Sequence, residues 1–381
     1  MRMRAFAGIA MLLVVRTIAW PAESELQQAP LWVGDTDGYH TYRIPSLIVT
    51  KQGTLLAFCE GRKRGTSDTG DIDLLCKRST DGGRTWGAQA IVWDDGANTC
   101  GNPCPVIDEE TGTVWLLMTH NLGEDQESEI VGGTSKGTRT AWVTHSTDDG
   151  RSWAQPTDTT SAVKKPEWTW YATGPGVGIQ LRRGPHTGRL VVPCDHKTRA
   201  PNVSYFSHVI FSDDRGRTWQ LGGATENGVN ECQVIERVDG SLLLNMRVSK
   251  ENPATLRAIA TSADAGRTWS PLAYDAALIG PRCQASLARY HPSDAPGKPL
   301  VLFSNTADPG KRIRMTVRLS EDDGRTWSAA GLLHEGPSAY SCLAALPDGG
   351  VACLYERGEK NAYETITLAR FPLEWLTSGA K

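Results

Sequence analysis

An arginine in Tyr42-Arg43-Ile44-Pro45 and a charge-dense loop, Glu60-Gly-Arg62-Lys-Arg-Gly-Thr-Ser-Asp68-Thr-Gly-Asp71-Ile-Asp73, are the first stretches of this 381-residue chain that could do chemistry. Guanidinium is always charged and its planar fork matches a carboxylate, so an arginine among aromatics can hold an anion. Three aspartates in a Gly-containing loop could suggest Ca²⁺, but EF-hand spacing is not met because no bidentate Glu stands at the required position. Taken singly these residues read as ordinary: Arg43 as a surface salt-bridge partner and the loop as a solvated tip. Their combination with later motifs lifts them above that reading. In chain order these are N-P-C-P (102–105), G-P-G (174–176), N-E-C-Q (230–233), N-M-R (245–247), R-x-x-M-T-V (312–317), S-A-Y-S (338–341) and L-Y-E (354–356).

Such scattered groups need a scaffold that gathers distant segments, and the chain advertises one. Ser79-Thr-Asp-Gly-Gly-Arg-Thr-Trp86 returns as STDDGRSW (146–153), SDDRGRTW (212–219), SADAGRTW (262–269) and SEDDGRTW (320–327). The pattern S-x-D-x-G-R-[TS]-W reads as a hairpin turn, with the Asp carboxylate bonding backbone N–H groups two residues on and Gly supplying φ > 0. The Trp is expected to pack the turn against its own sheet. Offsets of 67, 66, 50 and 58 residues give one supersecondary unit per copy. Stretches such as Thr113–Met118, Leu190–Pro193 and Ser241–Met246 read as short strands between turns, with no convincing amphipathic helix. A sheet per copy arranged radially is an all-β propeller; ~355 residues at ~60 per unit suggest about six blades, one without a recognisable turn motif. A solenoid or a two-sheet sandwich is the alternative.

In this ordered set the chain resembles the exo-α-sialidases (neuraminidases) of the Asp-box, six-bladed propeller type, over about residues 30–370. The resemblance implies an arginine triad at Arg43, Arg247 and Arg312 holding the sialic-acid carboxylate, with Arg314 the alternative for the third because it lies two residues away on a strand. It implies that Glu356 holds Arg43, and that Arg62 and Glu60 lie near the sugar's O4 hydroxyl. Tyr340 matches the nucleophile, Glu231 the group that takes its proton, and Asp68 the general acid/base. A phenol suits this substrate because an anionic nucleophile would meet the carboxylate on the carbon it attacks. Cys342 stands where many relatives have Asp, and Cys194-Asp195-His196 where some animal relatives carry tyrosines that recognise the glycerol side chain. Asn102, Trp142, Trp168 and Trp170 are candidates for the N-acetyl pocket.

Composition sets bounds on partners and compartment. A net charge of −3 with no basic stripe gives no reason to expect nucleic acid. Residues 1–22 read as an export signal, with Met-Arg-Met-Arg, an apolar Ala5–Val15 too short to span a bilayer, and small residues for cleavage near Ala19 or Ala22. The chain is therefore expected to be secreted or periplasmic, with a catalytic propeller over 30–375 and no stable membrane anchor. Nine cysteines, an odd number, show no paired C-x-x-C spacing; Cys100 and Cys104 could bridge or stay as buried thiols. No cofactor and no metal is implied. The expectation is hydrolysis of terminal α-linked sialic acids on glycoproteins, gangliosides or oligosaccharides; the alternatives are a non-catalytic glycan-binding propeller and a trans-sialidase.

Overall fold

The computed structural model describes residues 25–250, 255–291 and 295–378, so the expected export segment over 1–22 lies outside the described residues. Strand pairing resolves into six four-stranded antiparallel blades around one axis. Blade 1 runs from Thr41–Val49 on the inside through Leu55–Arg62 and Ile72–Ser79 to Ala90–Trp93, and blade 2 from Thr99–Asp108 to Thr157–Asp158. Blade 3 has an interrupted inner strand, Trp168–Thr173 and Ile179–Gln180, both paired to Leu190–Thr198. Blade 4 spans Val229–Glu236 to Ala273–Ile279. The long strand Ala329–Ala345 is the outer edge of blade 5 and then the inner edge of blade 6.

Burial varies with position within a blade. The second strand of blade 1, Leu55–Arg62, is buried along its whole length, because a neighbouring blade covers each face. Outer strands such as Ala273–Ile279 are largely exposed. The core is divided among the blade interfaces: one cluster joins Leu56, Phe58 and Leu74 of blade 1 to Val114, Leu116 and Met118 of blade 2, and equivalent clusters fill the other interfaces. All nine cysteines are free and buried. Cys342 lies in the interface of blades 6 and 1, where its sulfur accepts the Leu47 N–H at 3.2 Å.

The repeated turns join third to fourth strands in blades 1 to 5. Their hydrogen bonding differs from the expectation of a bond two residues on. Asp264 Oδ1 accepts the backbone N–H of Arg267 and Thr268, three and four residues on, and Oδ2 accepts the Thr268 hydroxyl at 2.6 Å. The Ser262 hydroxyl takes the Gly266 N–H at 2.9 Å. The turn tryptophans also depart from expectation: they enter the interface with the preceding blade, not only their own sheet. Trp153 of blade 2 meets Phe58 of blade 1 edge-on, and Trp269 of blade 4 donates to the Gly223 carbonyl of blade 3. Blade 6 lacks the motif for a topological reason. Its third strand, Thr365–Pro372, pairs with the N-terminal strand Gln27–Val33, so no turn joins them. Among the described residues no helix is long and apolar enough to cross a membrane.

Candidate active site

At one end of the axis lies a cavity of about 510 Å³ lined by Arg43, Glu60, Arg62, Asp68, Glu231, Arg247, Arg312 and Tyr340. Glu356 stands behind Arg43. Residues as far apart in sequence as Arg43 and Tyr340 thus share one wall, because inner and second strands from different blades all end there.

Local backbone irregularity aims these side chains. Register shifts interrupt the inner-strand ladders between Arg43 and Ser46, Gly101 and Cys104, Trp168 and Tyr171, Val229 and Cys232, and Ser338 and Ser341. Bulges of this kind bend a strand and redirect a side chain. Two come with left-handed backbone at non-glycine residues, Ile44 at φ 58° and Asn102 at φ 52°. For a β-branched residue that conformation is costly; the Ile44 N–H is held by Glu356 Oε1 at 2.9 Å.

Arg43 gives Nε to Glu356 Oε1 at 3.0 Å and stacks over the Tyr363 ring at 4.2 Å and the Tyr340 ring at 5.0 Å. Arg247 Nη1 donates to Glu231 Oε2 at 2.6 Å and to the Tyr340 hydroxyl at 3.2 Å. Arg312 Nη1 donates to the Tyr363 hydroxyl at 2.8 Å. Arg314 lies outside the cavity and pairs with Glu335 near the surface. The alternation that would align it with Arg312 fails, because Arg314 takes φ 62° within a register shift that spans Ile313–Met315.

The Tyr340 hydroxyl donates to Glu231 Oε1. Burial and the Glu231 charge push the phenol well above its ordinary value, against Arg247, Arg312 and Arg43. Burial would raise Glu231 too, but Arg247, the Tyr340 hydrogen bond and Arg312 outweigh it and hold the carboxyl below its ordinary 4.5. The pair is therefore a neutral phenol on a carboxylate. Asp68 sits on the loop between the second and third strands of blade 1, its side chain 57% exposed, 2.8 Å from Arg62 Nη2 and 3.5 Å from Arg43 Nη1. Its partial burial works upward, but these arginines win and hold it ionised below the ordinary carboxylate range. Glu60 anchors Arg62 at 2.6 Å and accepts the Asn102 N–H at 2.9 Å.

Of the other candidates, Asn102 and Trp170 line the cavity, Trp170 under the Arg139 guanidinium at 4.1 Å. Trp142 instead packs on Trp93, and Trp168 stacks on His196 at 3.4 Å. Asp195 lines the cavity, whereas Cys194 joins the core between blades 2 and 3. Sequence reasoning missed Tyr363, Arg139 and Tyr205; no local pattern marks them, and only the topology brings them in. Among the described residues no group of three His, Cys, Asp or Glu is arranged to hold a metal ion.

The chain matches the family model for the BNR repeat-like domain over residues 53–353. It is 38% identical over 363 residues to a sialidase of Micromonospora viridifaciens, with 91% of this chain and 54% of that protein covered. With an exo-alpha-sialidase of Aspergillus fumigatus it shares 32% identity over 380 residues, with 90% of this chain and 86% of that protein covered. The solved structure of Hadza microbial sialidase Hz136 superposes with a TM-score of 0.80 at 31% identity, covering 92% of this chain and 69% of that one. The chain spans little more than half the length of the Micromonospora relative. A BNR-repeat match across most of the chain, together with this identity, places the protein in the exo-α-sialidase family of β-propellers.

Proposed function

We propose that the protein is an exo-α-sialidase, a glycoside hydrolase that releases terminal α-linked sialic acids from glycoproteins, glycolipids or oligosaccharides with retention of configuration. The observation that carries this reading is the Tyr340 hydroxyl donated to Glu231 inside a cluster of three arginines. Arg43, Arg247 and Arg312 hold the substrate carboxylate, and Arg62 with Glu60 meets a ring hydroxyl. In the first step the Tyr340 oxygen bonds to the anomeric carbon as the glycosidic C–O bond breaks. The phenolic proton passes to Glu231, and Asp68 gives a proton to the departing oxygen. In the second step water attacks the same carbon, Asp68 takes a water proton, the Tyr340–carbon bond breaks and Glu231 returns the proton to the phenol. Neutrality of Tyr340 before the step avoids repulsion with the bound carboxylate, and the neighbouring arginines stabilise the phenolate as charge develops.

Asp68 must be protonated to act first, yet Arg62 and Arg43 hold it ionised in the free protein. A substrate carboxylate on Arg43 supplies a competing negative charge, which raises the proton affinity of Asp68 as the complex forms. The pattern of residues 1–22 is the basis for proposing that this chemistry takes place outside the cytoplasm. Monitoring sialyllactose isomers by NMR, with and without lactose as acceptor, tests the reading. Sialic acid released first as the α-anomer is expected; release as the β-anomer, or no release, would overturn it, and new sialylated lactose would make transfer the main reaction.

A further inference from the structure

We infer that Asp195 is a neutral carboxylic acid in the cavity wall that donates a hydrogen bond to an uncharged oxygen of the bound sugar, and so sets specificity. The inference rests on the reading of this cavity as a sialic-acid site. Asp195 is an exception among its neighbours. Every other acid that lines the cavity has strong donors: Glu60 has Arg62, Glu231 has Arg247 and Tyr340, Asp68 has Arg62, and Glu127 has Lys197. Asp195 is 2% exposed, and its Oδ2 is buried without a hydrogen-bond partner. Lys197, the cation two residues along the same strand, is turned to Glu127 instead.

The surroundings favour the protonated form. Glu231 and Cys232 face Asp195 from the inner strand of blade 4, Arg247 from the next strand, Tyr171 from the inner strand of blade 3 and Glu127 from the short helix Glu127–Gly132, with Lys197 on Asp195's own strand. A buried carboxylate with no donor and another carboxylate nearby is strongly disfavoured against its neutral acid. Burial, with Glu231 adding to it and Lys197 and Arg247 opposing, raises the group to about 8. A neutral acid at the cavity wall has one O–H to give, and a buried site built around a donor discriminates against ligands that lack the matching acceptor. The arginine cluster takes the negative end of the ligand, so the acceptor at Asp195 is a hydroxyl or amide carbonyl. Above about pH 8 the donor becomes an acceptor beside Glu231, and the contact turns repulsive.

The test measures calorimetric binding of the unsaturated inhibitor 2,3-didehydro-2-deoxy-N-acetylneuraminic acid from about pH 6 to 9.5, in buffers of different ionisation heat, alongside sialyllactose turnover. Wild type is expected to bind about tenfold more weakly per pH unit above about 8 and to take up a proton on binding there. Asp195→Asn keeps a donor of the same shape, so it should bind within a few-fold of wild type at about pH 6, with the alkaline decline and the proton uptake both reduced. Asp195→Ala should lose roughly tenfold at about pH 6 with KM rising more than kcat falls. Equal alkaline decline and proton uptake in wild type and Asp195→Asn would overturn the inference, as would wild-type affinity in Asp195→Ala. A wild type that neither binds the inhibitor nor releases sialic acid would instead overturn the sialidase reading beneath it.

Discussion

Glu356 grips Tyr340 by its backbone: the Tyr340 N–H donates to Glu356 Oε2 at 3.0 Å, and the same oxygen accepts Arg43 Nη2 at 3.3 Å. One fully buried carboxylate therefore fixes both the candidate anion-binding arginine and the candidate nucleophile. Replacing it with alanine leaves the buried Arg43 without its nearer, fully buried charge partner and with only the longer contact to the exposed Asp68, which should cost about 3–5 kcal/mol of stability. Glu356→Gln should be milder in denaturant melts but still weaken inhibitor binding. Wild-type binding in a folded Glu356→Gln would show that Arg43 is positioned by other contacts.

The two neighbouring arginines of blade 5 should behave differently. Arg312→Ala removes a cation from the cavity and should weaken binding of a sialic-acid-like inhibitor by at least roughly tenfold. Arg314→Ala removes only a surface pair with Glu335, whose value is about 0–1 kcal/mol, and should leave binding intact. Calorimetry on both variants decides the matter, and a larger loss for Arg314→Ala would reverse the assignment.

For Asp68, substrate chemistry gives the discriminating measurement. Asp68→Ala should slow natural sialosides by about 10²–10⁴-fold, because a sugar alkoxide leaves poorly without a proton. An aryl sialoside leaves as a stabilised phenolate, so its first step should suffer far less while water attack slows. Stopped-flow should then show a burst of phenol, with Tyr340 found covalently loaded by mass spectrometry. Tyr340→Phe has no oxygen to form the adduct and should show no burst. An equal slowing of both substrates without a burst would remove Asp68 from the proton-transfer role.

The pH profile is set by the same charges. In the proposed mechanism Glu231 acts ionised; held below 4.5, it keeps the base form as pH falls until it titrates below that value. Asp68 acts protonated in the same mechanism, so its lowered value in the free protein should make kcat/KM fall as pH rises from the acid side. If the bound carboxylate raises Asp68, the alkaline limb of kcat should lie at higher pH than that of kcat/KM. Coincident limbs would mean that substrate does not perturb Asp68.

The turns contribute stability without touching the chemistry. Asp264→Ala removes the acceptor of several hydrogen bonds and should cost about 1–2 kcal/mol, leaving the folded fraction fully active. The Ser152 hydroxyl leads the donors that lower Asp148, and in Asp322 burial works upward but the Thr326, Ser320 and backbone donors together outweigh it; both are lowered to about 2. Their stabilisation is present above the unfolded value of about 3.9 and lost as pH falls through about 2. Acid melts of wild type should therefore steepen in that window, and the same melt in Asp322→Asn should steepen less. An unchanged acid transition in Asp322→Asn would contradict it.

Much of this architecture is legible in the residues. Five turn motifs set the repeat period, because a turn fixes a hairpin, and chain length at that period gives the sixth blade, which carries no motif. Placement of the tryptophans between blades is not legible there, since a turn motif carries no information about which neighbour it meets. Chain order and the family resemblance pick out residues that the fold gathers around one cavity, while strand alternation misjudges Arg314. Alternation presumes an unbroken ladder, and Asn102, Arg314 and Ile44 all sit where the ladder is broken by left-handed backbone. Tyr363 and Arg139 reach the cavity from irregular segments or strand ends, where no periodicity exists to mark them.

The pairing of Gln27–Val33 with Thr365–Pro372 makes the last blade a clasp between the two ends of the chain. Contacts of such long sequence separation are the slowest to form, since the intervening chain must be organised before they are rewarded. Arg43 lies just after the first half of that clasp and Glu356 just before the second, so the proposed anion site straddles the seam. A molecule whose ring has not shut holds Arg43 and Tyr340 on separate pieces, and it cannot display the site in part. Ligand affinity should then report completion of the fold: an inhibitor that grips both sides of the seam acts as a latch, selecting finished molecules and slowing their reopening.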